Sequence, residues 1–260
     1  MSRLPIVFFG HGSPMVALEK SDVTQSWATI ADRIGKPRAI LCISAHWLTR
    51  GTAVTAMPQP RTIHDFGAFP QALFDVQYPT PGDPELAMRV RDLLSPMPVA
   101  IDQGWGLDHG TWSVLVHAYP DADIPVVQLG MDVGKTPAEH WAVGRMLRPL
   151  RDEGVLIMGT GNIVHNLSAM DWGNPTAPAY PWADSFNSTM VTAVEEDRPE
   201  VVIDFEALGE AARLSVPSPD HFWPLLYVLG ARHEGERAAF DPNFIHHKSL
   251  SMTSILIGAE

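Results

Sequence analysis

The sequence predicts a three-layer α/β/α fold around a central mixed, largely parallel sheet. Apolar runs rich in β-branched or aromatic residues recur along the chain almost unbroken, as strands covered on both faces require. Segments of helical periodicity lie between them, giving the alternation of a layered α/β domain. No repeat, charge block or flexible linker divides the 260 residues, so 1–260 read as a single domain.

Taken in order, the first strand is expected over residues 4–10. A helix follows, because Val23, Trp27, Ile30 and Ile34 share one face at a 3.6-residue period. The second strand is expected over 39–45 and another over 124–131. Thr136-Pro137-Ala138-Glu139 then forms a capping box with proline at the first helical position, and Trp141, Met146 and Leu147 line the following helix less regularly. Strands over 154–159 and 250–258 complete the sheet. Between them, Asp220 stands where it could cap a helix running through Leu225 to Leu229 or support the adjacent His221. The 23 prolines and 20 glycines predict many long, ordered loops.

Composition narrows the function. With 45% hydrophobic and 18% charged residues the chain can bury a substantial core. Its net charge of -12, with no run of Lys or Arg, argues against nucleic acid or an anionic membrane as partner and favours a small molecule. The lone cysteine, Cys42, excludes an internal disulfide and a thiolate-rich metal site, and its apolar surroundings read as buried filler. Residues 4–9 are too short for a signal-peptide core or a membrane span, so a cytoplasmic protein is expected, as a monomer or small homo-oligomer.

Open α/β sheets place ligands where strands end and loops begin. His11 directly follows the first strand, in Gly10-His11-Gly12-Ser13-Pro14, and His46 ends the second, in Ser44-Ala45-His46-Trp47. A third strand leads through Gly161-Asn162 to His165, and a fourth histidine, His221, lies in Pro219-Asp220-His221-Phe222. Any one histidine after a strand is commonly a hydrogen-bonding loop residue; coincidence across three strand ends favours a metal. His109 sits in a glycine-containing polar loop, Leu107-Asp108-His109-Gly110-Thr111-Trp112, that resembles a site loop. His64 either pairs with Asp65 or lines a pocket. His117, His140 and His233 read as ordinary helix or loop residues, and the adjacent His246 and His247 seldom both face one site.

Taken together with Thr62-Ile63-His64-Asp65-Phe66 and Tyr78-Pro79, these motifs follow one another in an order that resembles the DOPA-dioxygenase-like branch of the class III extradiol ring-cleaving dioxygenases, the LigB-type superfamily. The resemblance implies a catechol such as 3,4-dihydroxyphenylalanine as substrate, dioxygen as co-substrate and one divalent metal ion, Fe(II) for ring cleavage or Zn(II) as bound. It implies His11, His46 and His221 as ligands, with His165 as catalytic base or fourth ligand and His109 as a substrate-positioning acid–base group. Arg61, beside His64, is a candidate partner for the amino-acid carboxylate, and Tyr78, Phe66, Phe69 and Trp112 are candidates for an aromatic wall. The chain departs from the family pattern at Asn187, where an acidic residue is usual, and at His246-His247.

A neutral three-histidine face differs from the two-histidine, one-carboxylate set usual for non-haem iron and equally suits zinc with bound water. His165, with a pKa near neutrality, is expected to take a catechol proton, a role contributing about 10²–10⁴-fold to rate. Two rivals use the same residues: a zinc hydrolase and a non-catalytic metal-binding relative. The presence of His109 and His165 beside the ligand set argues against a mere scaffold.

Overall fold

Each residue along the central strands sends its side chain to the face opposite its neighbour's, and both faces are apolar. In the computed structural model, which describes residues 3–259, the strands are β1 (Ile6–Gly10), β2 (Ala39–Ser44), β3 (Leu48–Thr49), β4 (Thr52–Thr55), β5 (Val99–Asp102), β6 (Val126–Asp132), β7 (Val155–Gly161), β8 (Ala238–Phe240), β9 (Ile245–His246), β10 (Leu250–Ser251) and β11 (Ile255–Ile257). The helices are α1 (Asp22–Ile34), α2 (Gln71–Phe74), α3 (Pro84–Leu93), α4 (His109–Ala118), α5 (Pro137–Leu147), α6 (Pro149–Asp152), α7 (Pro181–Glu195), α8 (Pro199–Ile203), α9 (Glu210–Ser215) and α10 (Trp223–Gly230).

The main sheet runs β5-β4-β6-β2-β7-β1-β11-β8, with β3 paired beside β6. Its centre, β6-β2-β7-β1, is parallel, whereas β4 runs antiparallel to β6 and β11 to β1. Ile6, Phe8, Leu41, Ile43 and Ile157 pack toward α5, α7 and α10, while Val7, Phe9, Ile40, Cys42, Leu156 and Met158 pack toward α1 and α4. These are the expected three layers. Burying each large apolar side chain here contributes roughly 1.5–3 kcal/mol before entropy is subtracted.

The capping box at Thr136 forms, with Glu139 bonding back to the Thr136 backbone. Trp27 is fully buried on α1, as its periodicity requires. The strand expected over 250–258 is instead two short strands, because the chain between them crosses the end of β1. Gly10 makes that crossing possible: a Cβ there would stand 2.6 Å from the Met252 carbonyl carbon and the Thr253 oxygen. Among the described residues no helix is long and apolar enough to cross a membrane.

Candidate metal centre

Because β7 lies between β1 and β2, the loops leaving these three parallel strands meet over one edge. His11 leaves β1 with its backbone N–H donating to the Gly161 carbonyl at the end of β7, and its side chain is almost wholly buried. His46 lies two residues beyond β2, and its Nε2 comes 3.0 Å from His11 Nε2. His109 arrives as the first residue of α4, a helix capped by the Asp108 carboxylate accepting from Thr111 N–H. That helix end approaches β2 closely because Gly110 has no side chain: a Cβ there would stand 2.6 Å from Ser44 Oγ and 2.7 Å from His46 Cδ2. The rings of His46 and His109 consequently sit 3.8 Å apart.

A second glycine admits the fourth histidine. A Cβ on Gly161 would meet the His221 carbonyl oxygen at 2.2 Å; without one, that oxygen accepts from Asn162 N–H at 2.8 Å. His221 lies 4.9 Å from His46 and 5.4 Å from His11, ring centre to ring centre. His165 stacks on it at 3.5 Å with the planes 4° apart. Five histidines from five loops thus converge.

Burial lowers the His46 pKa to about 3, with the neighbouring His109 adding to the effect. It lowers His221 to about 4 against the pull of Asp220, and His165 to about 3 with further repulsion from His221. His11 falls well below the usual imidazole value, chiefly through burial. These rings are neutral at pH 7, the form that offers a lone pair to a metal. Two carboxylates stand against them. Asp65 Oδ2 is 3.0 Å from His109 Nδ1, and Asp220 Oδ2 is hydrogen-bonded to His221 Nδ1. Burial opposes ionisation of both, but their histidine partners outweigh it and hold both carboxyls below the usual range.

The residues fit a divalent cation. The neutral rings of His11, His46, His165 and His221 stand beside carboxyls held below their usual range, and the Nδ1 atoms of His11 and His109 are buried with no hydrogen-bond partner. Among the described residues, the set whose ligand atoms all lie within 4.8 Å of one another is His11, His46 and His109. His221, expected as the third ligand, stands beside that set, and His109 is closer to the expected pair than anticipated.

Several expectations change. Of the two roles open to Asp220, it takes that of partner to His221: its carboxylate is bonded to His221 Nδ1, and α10 starts at Trp223 without a side-chain cap. Asp65 pairs with His109, not with His64, whose Nε2 contacts the Val76 carbonyl at 3.0 Å. The near-neutral pKa expected of His165 is lost to burial. Arg61 spends its Nε and Nη2 on the carbonyls of Trp105 and Gly104, which fixes that loop instead of reaching toward a ligand. Tyr78 is buried with its hydroxyl donating to the Tyr119 carbonyl, just past the end of α4 opposite to His109. Trp112 is fully buried and donates to the Ile63 carbonyl, behind Phe66, whose ring lies 5.5 Å from His109. Asn187 is buried, accepting from the Ser251 and Thr253 hydroxyls.

Asp65 is the residue that sequence reasoning missed as a partner of the site. The only signal was a carboxylate in the same polar loop as His64, and nothing local says that it reaches a histidine 44 positions away.

A family model described as the catalytic LigB subunit of aromatic ring-opening dioxygenase matches residues 5–254. A protein of Escherichia coli (strain K12) called 4,5-DOPA dioxygenase extradiol is 48% identical, over 99% of this chain and 96% of its own. A protein of Beta vulgaris with the same name is 38% identical, over 95% of this chain and 96% of its own. The crystal structure of an uncharacterized protein from Escherichia coli K12 superposes with a TM-score of 0.86 at 43% identity, covering 98% of this chain and all of that one.

Proposed function

The chain belongs to the LigB family of aromatic ring-opening dioxygenases, and from that membership we propose that it opens the ring of a catechol, 3,4-dihydroxyphenylalanine or a close relative, with dioxygen at one divalent metal ion. The observation that carries this reading is the convergence of five histidines at one sheet edge, in a chain 48% identical to a protein called 4,5-DOPA dioxygenase extradiol.

We assign His11, His46 and His221 to the metal. Asp220 occupies Nδ1 of His221 and leaves Nε2 for the ion, the arrangement usual for metal-binding histidines. His109 competes on distance, but Phe66 packs against its ring and Asp65 accepts its backbone N–H, which suits a group that meets the substrate. Iron(II), when bound, supplies the Lewis acidity and redox chemistry through which catechol and dioxygen react. His165 stays neutral beside His221 and offers a lone pair, either to a catechol hydroxyl proton or as a fourth ligand. Phe66, with His64 and Trp112 behind it, forms the aromatic wall against which the substrate ring packs.

The test is anaerobic loading with Fe(II), then transfer to air with a panel of catechols. Oxygen uptake matched to loss of the catechol, with a yellow ring-opened product, is expected from the iron form and not from the zinc form. No uptake with any catechol sinks the reading. His165→Ala is expected to abolish turnover with metal content retained; loss of metal would instead make His165 a ligand.

A further inference from the structure

Helices α5 and α10 pack backbone to backbone: a Cβ on Gly144 would stand 2.2 Å from the Tyr227 carbonyl oxygen, and one on Gly230 2.1 Å from that of Trp141. Together with the end of α7 and the start of α8 they frame a cavity of about 270 Å³ that none of the five clustered histidines lines. Its lining holds four arginines, Arg145, Arg148, Arg198 and Arg232, against two carboxylates, Asp197 and Glu234. Val194, Val202 and Leu229 add apolar surface. In a chain with 30 acidic and 18 basic residues, this concentration of cations runs against the average.

Two of the arginines are committed. Arg232 is buried, with Nη1 on the Val194 carbonyl at 2.6 Å and 3.2 Å from the Asp197 carboxylate, and Arg198 Nη2 lies 2.8 Å from Glu196. Arg145 and Arg148 are not: among the described residues neither is paired with a carboxylate. The Arg145 guanidinium lies over the Trp141 ring, 5.0 Å from its centre, and Arg148 donates from Nε to the Gly230 carbonyl at 2.9 Å. Burial lowers the Arg148 pKa, and repulsion from Arg145 and Arg151 adds to the effect. Like charges held side by side cost stability, which a bound anion restores.

We propose that this cavity binds a small organic dianion, a phosphate monoester or a dicarboxylate, gripped by Arg145 and Arg148. Guanidinium forks match the oxygens of phosphate and carboxylate in pairs, and two unpaired cations match a ligand of two negative charges. A phosphate monoester carries nearly that charge at pH 7. The two arginines are three positions apart at the end of α5, which puts them on one side of it. Trp141 and the Gly230 carbonyl hold them in place beforehand, so little side-chain freedom is lost on binding. The apolar residues give a carbon skeleton a surface to cover, and the volume is close to the roughly 300 Å³ at which small-molecule sites begin.

The test is isothermal titration in phosphate-free buffer of low ionic strength, with glycerol 3-phosphate, succinate and inorganic phosphate as probes. One equivalent of glycerol 3-phosphate or succinate is expected to bind, the tighter of the two identifying the source, with affinity falling as salt is added. Binding is expected in metal-loaded and metal-stripped protein alike, which separates this cavity from the metal centre. Arg145→Gln combined with Arg148→Gln is expected to weaken it by about ten-fold or more, while Arg91→Gln, a surface arginine outside the lining, changes it by less than about two-fold. If the double variant fails to fold, Arg145→Gln alone, which keeps the Gly230 bond, is expected to weaken binding by about five-fold. Binding that disappears with the metal, or that survives the arginine substitutions, overturns the proposal, as does no heat from any probe up to about 10 mM. Inorganic phosphate binding more tightly than both organic probes means an adventitious ion only and overturns it too.

Discussion

Arg151 and His11, at opposite ends of the parallel strands, are buried in opposite ways. At the amino ends Arg151 is wholly buried, yet its guanidinium is fully engaged: Nε on the Leu4 carbonyl at 2.8 Å, Nη1 on the Ala231 carbonyl at 2.9 Å, and both terminal nitrogens on the Glu236 carboxylate at 2.7 and 2.8 Å. At the carboxyl ends His11 is as deeply buried, but its Nδ1 has no partner and its Nε2 faces another imidazole nitrogen. Burying a polar group without a partner costs about 1–3 kcal/mol, so a fold tolerates it where something else completes the group. The Arg151 end holds the chain together. The histidine end presents imidazole nitrogens that no protein group completes.

The largest expected effect breaks the histidine end. His11→Ala and His46→Ala should each lower bound metal to background, with ring-opening activity falling below detection while far-ultraviolet circular dichroism stays native. Retained metal in both would remove the site from this edge. Next, Glu236→Gln should leave the Arg151 charge buried without its counter-ion and cost about 3 kcal/mol in urea unfolding. Activity should stay within about two-fold, since the two ends share no partners. A variant that unfolds normally but loses turnover would mean the ends are coupled.

A smaller effect sharpens the contrast through pH. His46, His165 and His221 have folded values near 3, 3 and 4, against 6.5 when exposed. The unfolded chain therefore binds more protons than the folded one between those values, and stability rises with pH in that window. Metal-stripped protein should lose stability as pH falls from about 6.5 toward 4, and His165→Ala should flatten the slope. A flat profile for the wild type would show that the cluster is not held neutral. Least of all, Tyr78→Phe removes one hydrogen bond to the Tyr119 carbonyl and should cost about 1 kcal/mol with kinetics unchanged. A changed KM would return Tyr78 to the substrate.

Much of this was legible along the chain. The runs that became β1, β2, β6 and β7 are continuous because both faces of those strands are covered, and α1 and α5 announce themselves by period and capping box. The placement of His11 and His46 followed from their position directly beyond strands. The C-terminal segment was not legible as two strands, because its break depends on Gly10, some 240 residues earlier, leaving room for the chain to cross. Arg61, Tyr78 and Asp220 carried side chains suited to several partners, and local sequence cannot choose among them.

Residue type and spacing along the chain were enough to set the layered architecture and the histidines that could serve the site, because periodicity and strand ends are local properties. Which carboxylate meets which imidazole was decided only in three dimensions. Asp65 reaches His109 and His46 because a loop, a helix start and a strand end pack together, and Gly110 and Gly161 let them approach within contact distance. Such pairings depend on separations of a few ångströms between segments tens to hundreds of residues apart, and no local pattern encodes that distance.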